Sequence, residues 1–342
     1  MPAPRLPIAE YVELRHLNTF HVGATARYHA RVATLDELRQ VLAWIKARAL
    51  PFLILGQGSN ILFRQDYPGV IVELHLRGIE VLRETDDTVD IRVMAGEVWH
   101  ELVLFTLAQG YAGLENMSLI PGTVGAAPVQ NIGAYGRELA DVLLSLDAME
   151  LESGLLHQFD NAACGFAYRS SVFKRELVGQ YVICSLVLRL SRQDRIDIHY
   201  PALQQALGHL PAEQLNAKLV SDTVCRIRRS KLPDPDILGN AGSFFWNPLL
   251  TPEQYVRIRQ EWPDMPAYAE GEKFKVPAAW LIERAGWKGY RDGDVGVHEH
   301  HALVLVNYGA ASGAELVQLA TRIQASVQNL FDIGLQPEVR II

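Results

Sequence analysis

The chain has 342 residues, of which 49% are apolar and 21% charged, with 39 acidic against 32 basic side chains and a formal net charge of −7. That length and composition exclude disordered and fibrous classes and leave room for about two domains. The acidic balance argues against a non-specific nucleic-acid binder, and no apolar run approaches the roughly eighteen residues of a membrane span. The start, M-P-A-P-R-L-P-I-A-E, carries no signal-type hydrophobic segment. In chain order, residues 18 to 32 pass from a turn into an alternating strand, and Thr34 to Glu37 forms a capping box for a helix running to Ala49 with Leu35, Leu38, Leu42 and Ile45 on one face. Phe52 to Leu55 is a short strand that runs into Gly56-Gln57-Gly58-Ser59-Asn60 and then the apolar triplet Ile61 to Phe63. A dinucleotide fingerprint would need a third glycine at Ile61 and a helix after it, so a Rossmann site is disfavoured. The turn either exposes amides to a phosphate, with Ser59 and Asn60 as donors, or is a hairpin-like turn.

Val70 to Leu74, Ile79 to Leu82 and Val89 to Ala95 read as strands, and Trp99 to Gln109 as a short helix. The stretch Pro121 to Gly136, P-G-T-V-G-A-A-P-V-Q-N-I-G-A-Y-G, carries no charged side chain in sixteen residues. Its glycines permit positive φ and close backbone approach, and a bound anion such as a pyrophosphate would satisfy several of its N–H groups at once. A buried structural turn has the same composition. Leu143 to Leu151 and Tyr181 to Leu190 are further strands, the second alternating poorly and so expected to be buried on both faces. These elements give an α+β domain with a mixed or antiparallel sheet. A helix is expected from Glu213 to Arg229. The basic cluster Arg226, Arg228, Arg229 and Lys231 is either a solvated helix end or a phosphate contact. Gly239 to Pro248 is a second charge-free glycine turn, Thr251-Pro-Glu-Gln caps another helix, and Pro277 to Ala285 is a short amphipathic one. Ala302 to Val306 is a buried strand. Ser312 caps the last helix, with Leu316, Leu319, Ile323, Val327 and Leu330 as its stripe, and Pro337 to Ile342 closes the chain as a strand. Cys164, Cys184 and Cys225 are odd in number and widely spaced, which fits a reducing cytoplasm and no zinc site. His298, His300 and His301 lack a carboxylate–histidine helix motif, and loop or substrate-contact roles are expected of them rather than a metal.

Six separated motifs, in order, resemble one family: G-Q-G-S-N at 56–60, I-P-G-T-V-G-A-A-P-V-Q-N-I-G-A-Y-G at 120–136, F-A-Y-R-S-S-V-F-K at 166–174, S-K-L-P-D-P at 230–235, N-A-G-S-F-F at 240–245 and P-E-V-R at 337–340. The chain resembles the UDP-N-acetylenolpyruvoylglucosamine reductases, the MurB flavoenzymes of bacterial cell-wall synthesis, from Asn18 to the last strand. The resemblance implies an α+β fold: a two-lobed FAD-binding domain of the vanillyl-alcohol oxidase (PCMH) type, plus a C-terminal α+β substrate-binding domain. The lobes would span 1–75, 76–215 and 216–329, with the tail 330–342 returning to the flavin site.

By the same resemblance, FAD would be held non-covalently by Gly56, Gln57, Gly58, Ser59, Asn60, Ile120, Pro121, Gly122, Thr123, Val124, Gly125, Asn131, Gly133, Tyr135, Ile183 and Arg340. Arg169, Ser243 and Glu338 match the catalytic positions: a carboxylate-pairing arginine, a proton donor and an acid acting with the arginine. Without the resemblance, Arg169 reads more readily as a surface salt bridge and Ser243 as a turn serine, while Glu338 also fits an exposed strand-end carboxylate. Tyr168, Tyr200, Lys231 and Asn247 match positions near substrate, and Tyr200 with the segment 193–215 resembles the branch that has an extra tyrosine loop. Trp246 departs from the family, since many relatives carry lysine there. The implied activity is that of a UDP-N-acetylmuramate dehydrogenase using NADPH as co-substrate, with a UDP-sugar as partner, a monomeric state and a cytoplasmic location. Another FAD-dependent oxidase or dehydrogenase of the same fold, acting on a small alcohol or hydroxy acid, is the alternative, and a non-catalytic FAD or sugar-nucleotide binder is a third reading.

Overall fold

Side-chain chemistry local to the chain decides where several of the helices start. In the computed structural model, which describes residues 6–193 and 196–342, Thr34 accepts from the Glu37 amide at 3.1 Å and Glu37 reaches back to the Thr34 amide at 3.3 Å, and the helix Leu35–Ala47 follows. The same reciprocal box, Thr251 with Gln254 and Ser312 with Glu315, opens Pro252–Glu261 and Gly313–Phe331. The expected helix from Glu213 instead begins at Ala217. Asn216 accepts the Leu219 amide at 2.9 Å and sets the start there, while Glu213 falls in the separate 3-10 turn Ala212–Gln214. On the last helix Leu316, Leu319, Ile323 and Val327 are buried as the pattern predicts, but Leu330 is 41% exposed. Phe331, four residues after Val327, takes its place in the core, because a face drifts to i+4 when a helix runs at 3.6 residues per turn. The first five residues of the chain and residues 194 and 195 of the segment 193–215 lie outside the described residues.

The chain divides into two compact units. The first holds the chain up to Tyr11, Arg27–Gln57 and Pro68–Ser230; the second holds Val12–Ala26, Gly58–Tyr67 and Lys231–Ile342. In the first, a four-stranded sheet runs in the order Ile8–Glu13, Thr25–Val32, Tyr67–Leu74, Phe52–Leu55, with the last pair parallel. The helix Leu35–Ala47 covers it through Leu38, Val41, Leu42 and Ile45. A second, antiparallel sheet runs Leu156–Asp160, Leu143–Glu150, Tyr181–Ser191, Thr88–Met94, Ile79–Glu84. Its middle strand is buried without a break from Val182 to Leu188, as expected of a strand covered on both faces.

The turn Gly56–Asn60 is not a hairpin. Phe52–Leu55 pairs within the first sheet, whereas Ile61–Leu62 pairs in parallel with Arg340–Ile341, so the turn carries the chain from one sheet into another. Of the expected closing strand, only Arg340 and Ile341 form a ladder. In the second unit a four-stranded sheet orders Gly239–Ser243, Val304–Asn307, Val295–Val297, Arg291–Asp292. Its core joins Phe20 and Leu62 to Phe244, Phe245 and the buried face of the last helix.

Candidate functional site

The stretch Pro121–Gly136 is bound down along its backbone. Val124 and Gly125 donate to the carbonyls of Glu97 and Ala95, both at 2.8 Å, and Val124–Gln130 winds as a 3-10 helix with Pro128 inside it rather than as irregular loop. Two glycines make the approach possible. A Cβ on Gly125 would lie 2.6 Å from the Ala95 Cβ, and one on Gly56 would lie 2.5 Å from the Thr123 hydroxyl oxygen, so each is a close-packing glycine. Gln57 accepts the Gly122 amide at 2.8 Å, which ties the G-Q-G-S-N turn to this stretch. Among the described residues no partner meets the amides of Gln57 and Ser59. At the entrance, Leu119 takes φ +59° and donates its amide to His100 Nδ1 at 3.0 Å. Burial pushes the His100 pKa down against the opposing pull of Glu101, with Arg229 and Arg228 helping burial, so the neutral ring is the form the fold favours.

Farther on, Asn131 adopts φ +45° and spends its side chain on protein: Nδ2 donates to Glu138 at 2.7 Å and Oδ1 accepts from Ala140 at 3.0 Å. Arg169 sits in a two-residue turn closed by mutual 3.0 Å bonds between Ala167 and Ser170, and takes φ +51° where glycine is the usual residue. One guanidinium nitrogen donates to the Gly133 carbonyl at 2.6 Å. Gly133 itself has no room for a side chain, since a Cβ there would lie 2.6 Å from the Arg137 carbonyl oxygen. Tyr168 is exposed, with the Arg169 guanidinium 5.4 Å from its ring centre. Tyr135 meets Tyr200 edge-on at 5.2 Å, and Ile183 is buried in the middle strand of the second sheet.

The basic cluster separates by face. Arg226 and Arg229 are exposed, whereas Arg228 turns inward, with its Nε enclosed and unpartnered. Burial pulls its pKa down, Tyr135 and Cys225 act against that, and Arg169 adds to it. The sequence reading named Arg228 only as one of the cluster and did not separate it as the inward-facing member. The signal was its spacing of four and eight from Val224 and Val220, both wholly buried.

In the second unit, backbone pairing brings two of the three predicted catalytic residues together. Ser243 ends the strand Gly239–Ser243 opposite Val304, after an irregularity in which Gly242 takes φ +68° and donates to Asn240 Oδ1 at 2.9 Å. Glu338 donates its amide to the carbonyl of Phe244, the next residue, at 2.8 Å, and Phe245 bridges Pro337. Asn60 donates to the Glu338 carbonyl at 3.4 Å, and the exposed Arg340 donates its amide to the Asn60 carbonyl at 3.1 Å. Asn247 Oδ1 accepts the Ala278 amide at 2.9 Å, which leaves Nδ2 as a donor. Lys231 ends the helix Ala217–Lys231 and, with His298, acts on His301, whose pKa burial lowers. The His301 Nδ1 accepts the Leu303 amide at 3.3 Å. Among the described residues no group of three His, Cys, Asp or Glu side chains could hold a metal, and no helix is long and apolar enough to cross a membrane.

Comparison with known proteins gives the class first. Residues 26–160 match the FAD binding domain family, and residues 234–342 match the family described as UDP-N-acetylenolpyruvoylglucosamine reductase, C-terminal domain. The chain is an FAD-dependent oxidoreductase. It is 46% identical, over 98% of its length and 100% of the relative's, to a UDP-N-acetylenolpyruvoylglucosamine reductase of Amoebophilus asiaticus. It is 45% identical, over 97% of its length and 98% of the relative's, to that of Pseudomonas aeruginosa. Among solved structures, the MurB reductase of Thermus caldophilus superposes with a TM-score of 0.69 at 24% identity, over 97% of this chain and 98% of that one, which supports the fold. The chain belongs to the UDP-N-acetylenolpyruvoylglucosamine reductase family. The residues present fit its cofactor: in the turn that opens with Gly56-Gln57 the Gln57 amide meets no partner among the described residues, a backbone donor of the kind a pyrophosphate takes.

Proposed function

We propose that the protein reduces UDP-N-acetylenolpyruvoylglucosamine to UDP-N-acetylmuramate with NADPH, in peptidoglycan synthesis in the cytoplasm. The observation that carries this is the relationship over nearly the whole chain to reductases of that name. When bound, FAD would supply the two-electron carrier between NADPH and the enolpyruvyl methylene carbon. The three-lobed division at 1–75, 76–215 and 216–329, with the tail 330–342, belongs to this reading.

The roles of the chain's own residues follow from charge. Hydride arrival places negative charge on the carboxylate oxygens of the substrate, so a fixed cation there lowers the barrier. Arg169, already anchored by one nitrogen to Gly133, keeps its remaining N–H groups for that carboxylate and cannot lose its proton. Glu338 hydrogen-bonds the same group. Ser243 gives a proton to the carbon bearing the carboxylate; a hydroxyl is a weak acid, but the carbanion-like centre is a strong base, and Asn247 or Lys231 relieves the resulting alkoxide. Tyr200, Lys231 and the Asn247 Nδ2 bind the diphosphate, with Tyr168 near the sugar. Gly56 to Asn60, Ile120 to Gly125, Gly133, Tyr135, Ile183 and Arg340 hold FAD, and Asn131 contributes by shaping the turn from 131 to 140.

An anaerobic absorbance titration tests the reading. The oxidised-flavin band, near ~450 nm, should bleach with NADPH and return with the enolpyruvyl sugar nucleotide. A yellow protein that is bleached by a small alcohol but not by NADPH would favour the oxidase reading, and a protein that cannot be loaded with FAD would overturn both.

A further inference from the structure

Asn116 belongs to none of the motifs above, yet it is almost wholly buried, at 1% exposure, and its carboxamide joins two separate segments. Its Nδ2 donates to the carbonyl of Tyr135 at 2.8 Å and to the carbonyl of Asp197 at 3.0 Å. Both amide hydrogens are therefore used, while Oδ1 is enclosed without a partner. That fixes the orientation of the group, since a flipped amide would set its oxygen against two carbonyl oxygens. Two further contacts join the same segments. Arg137 Nε lies 3.4 Å from the Asp197 carboxylate, and the rings of Tyr135 and Tyr200 meet edge-on at 5.2 Å. Leu203 and Leu207 pack with Tyr135 against Val220 and Val224, which gives the junction an apolar floor.

We propose that Asn116 is a positioning residue that ties the segment carrying Tyr200 to the loop carrying Tyr135, so that the cofactor loop sets where Tyr200 stands for substrate. This rests on the reading of Tyr135 as a flavin contact and Tyr200 as a substrate contact. The physical reason is that one rigid planar group bonds a carbonyl from each segment, and neither carbonyl can move without breaking its bond or dragging the other. A residue that merely filled space would leave the two segments energetically independent.

The test uses the FAD-loaded full chain and its Asn116→Ala variant. Amide hydrogen exchange across residues 196–207 should accelerate about tenfold in the variant, the size of one lost buried hydrogen bond, with exchange across the helix Leu35–Ala47 unchanged. The KM for the enolpyruvyl sugar nucleotide should rise by a similar factor while kcat for flavin reduction by NADPH holds. In a Tyr200→Ala background the same substitution should change KM less than about twofold, because the group it positions is gone. Unchanged exchange, or an equal effect on KM in both backgrounds, would overturn the tie. Accelerated exchange with unchanged KM would keep the tie and overturn the assignment of Tyr200 to substrate. Should Asn116→Ala fail to fold, Arg137→Gln removes the more exposed ion pair. It should move exchange and KM in the same directions by roughly threefold, and additivity with Tyr200→Ala would again overturn the proposal.

Discussion

Two charge-free glycine stretches, Pro121–Gly136 and Gly239–Asn247, look alike in composition and end in opposite structures. The first is packed so closely that backbone meets backbone: Gly125 has no room for a Cβ beside Ala95, and its amide and that of Val124 are spent on the strand-end carbonyls of Ala95 and Glu97. The second is a strand edge. Gly242 has no atom within 4 Å of where a Cβ would go, and its positive φ serves to turn the chain so that Ser243 follows on the ladder beside Val304. One stretch is held by close packing of backbone on backbone, the other turns the chain where Ser243 joins the ladder. Glycine therefore signals clearance in one place and chirality in the other, and only the neighbours distinguish them.

Substitution in the second stretch should have the largest effect. Ser243→Ala should leave flavin reduction by NADPH intact and slow reoxidation by substrate at least ~10²-fold, the loss expected of a general acid. Near-normal reoxidation in stopped flow would show that the second stretch does not deliver a proton donor. Arg169→Ala, which removes the cation seated on Gly133 in the first unit, should cost about 3 kcal/mol of transition-state stabilisation. A raised KM with unchanged kcat would make it a ground-state contact instead.

The steric half of the contrast is tested by alanine at each glycine. Gly125→Ala should destabilise by ~1–3 kcal/mol and weaken FAD retention, because the Ala95 backbone and Cβ cannot retreat. Gly242→Ala should cost only about 1 kcal/mol, the price of a left-handed φ with open space around it. Thermal melts of the two variants that coincide would erase the distinction.

The smallest effect concerns pH. Burial lowers the His100 pKa, so the folded protein holds the ring neutral, while the unfolded chain takes up a proton as pH falls below the ordinary value of 6.5. The stabilisation is present above that value and drains away as pH falls through it toward the lower folded pKa. Protonation also removes the acceptor for the Leu119 amide at the entrance to the first stretch. FAD retention, followed by flavin fluorescence, should fall over that window, and His100→Phe should start low and show no such fall. A wild-type profile flat below pH 6.5 would count against this role.

Much of the fold was legible because its determinants are local. The capping boxes at Thr34, Thr251 and Ser312 each need only residues within one turn, and all three open helices. The helix expected at Glu213 begins at Ala217 because the Asn216 cap, also local, went unread. The unbroken apolar run of the strand Tyr181–Ser191 correctly implied burial on both faces. The site was legible as a set of motifs, which sufficed for the family. It was not legible as a geometry, because Asn116 and His100 act through partners 19 to 81 residues away and no motif contains them, and only the face of its helix sets Arg228 apart from the rest of its basic cluster.

The amino-acid sequence by itself determined the three capped helix starts at Thr34, Thr251 and Ser312, most of the buried faces and the charge-free glycine stretches, since each depends on residue type and short-range spacing. The tertiary structure alone decided that Glu338 pairs with the residue after Ser243, that Gly125 must lack a Cβ and that one carboxamide clamps Tyr135 to Asp197. Those outcomes depend on distances between segments remote in the chain, and such distances are set only when the cores close.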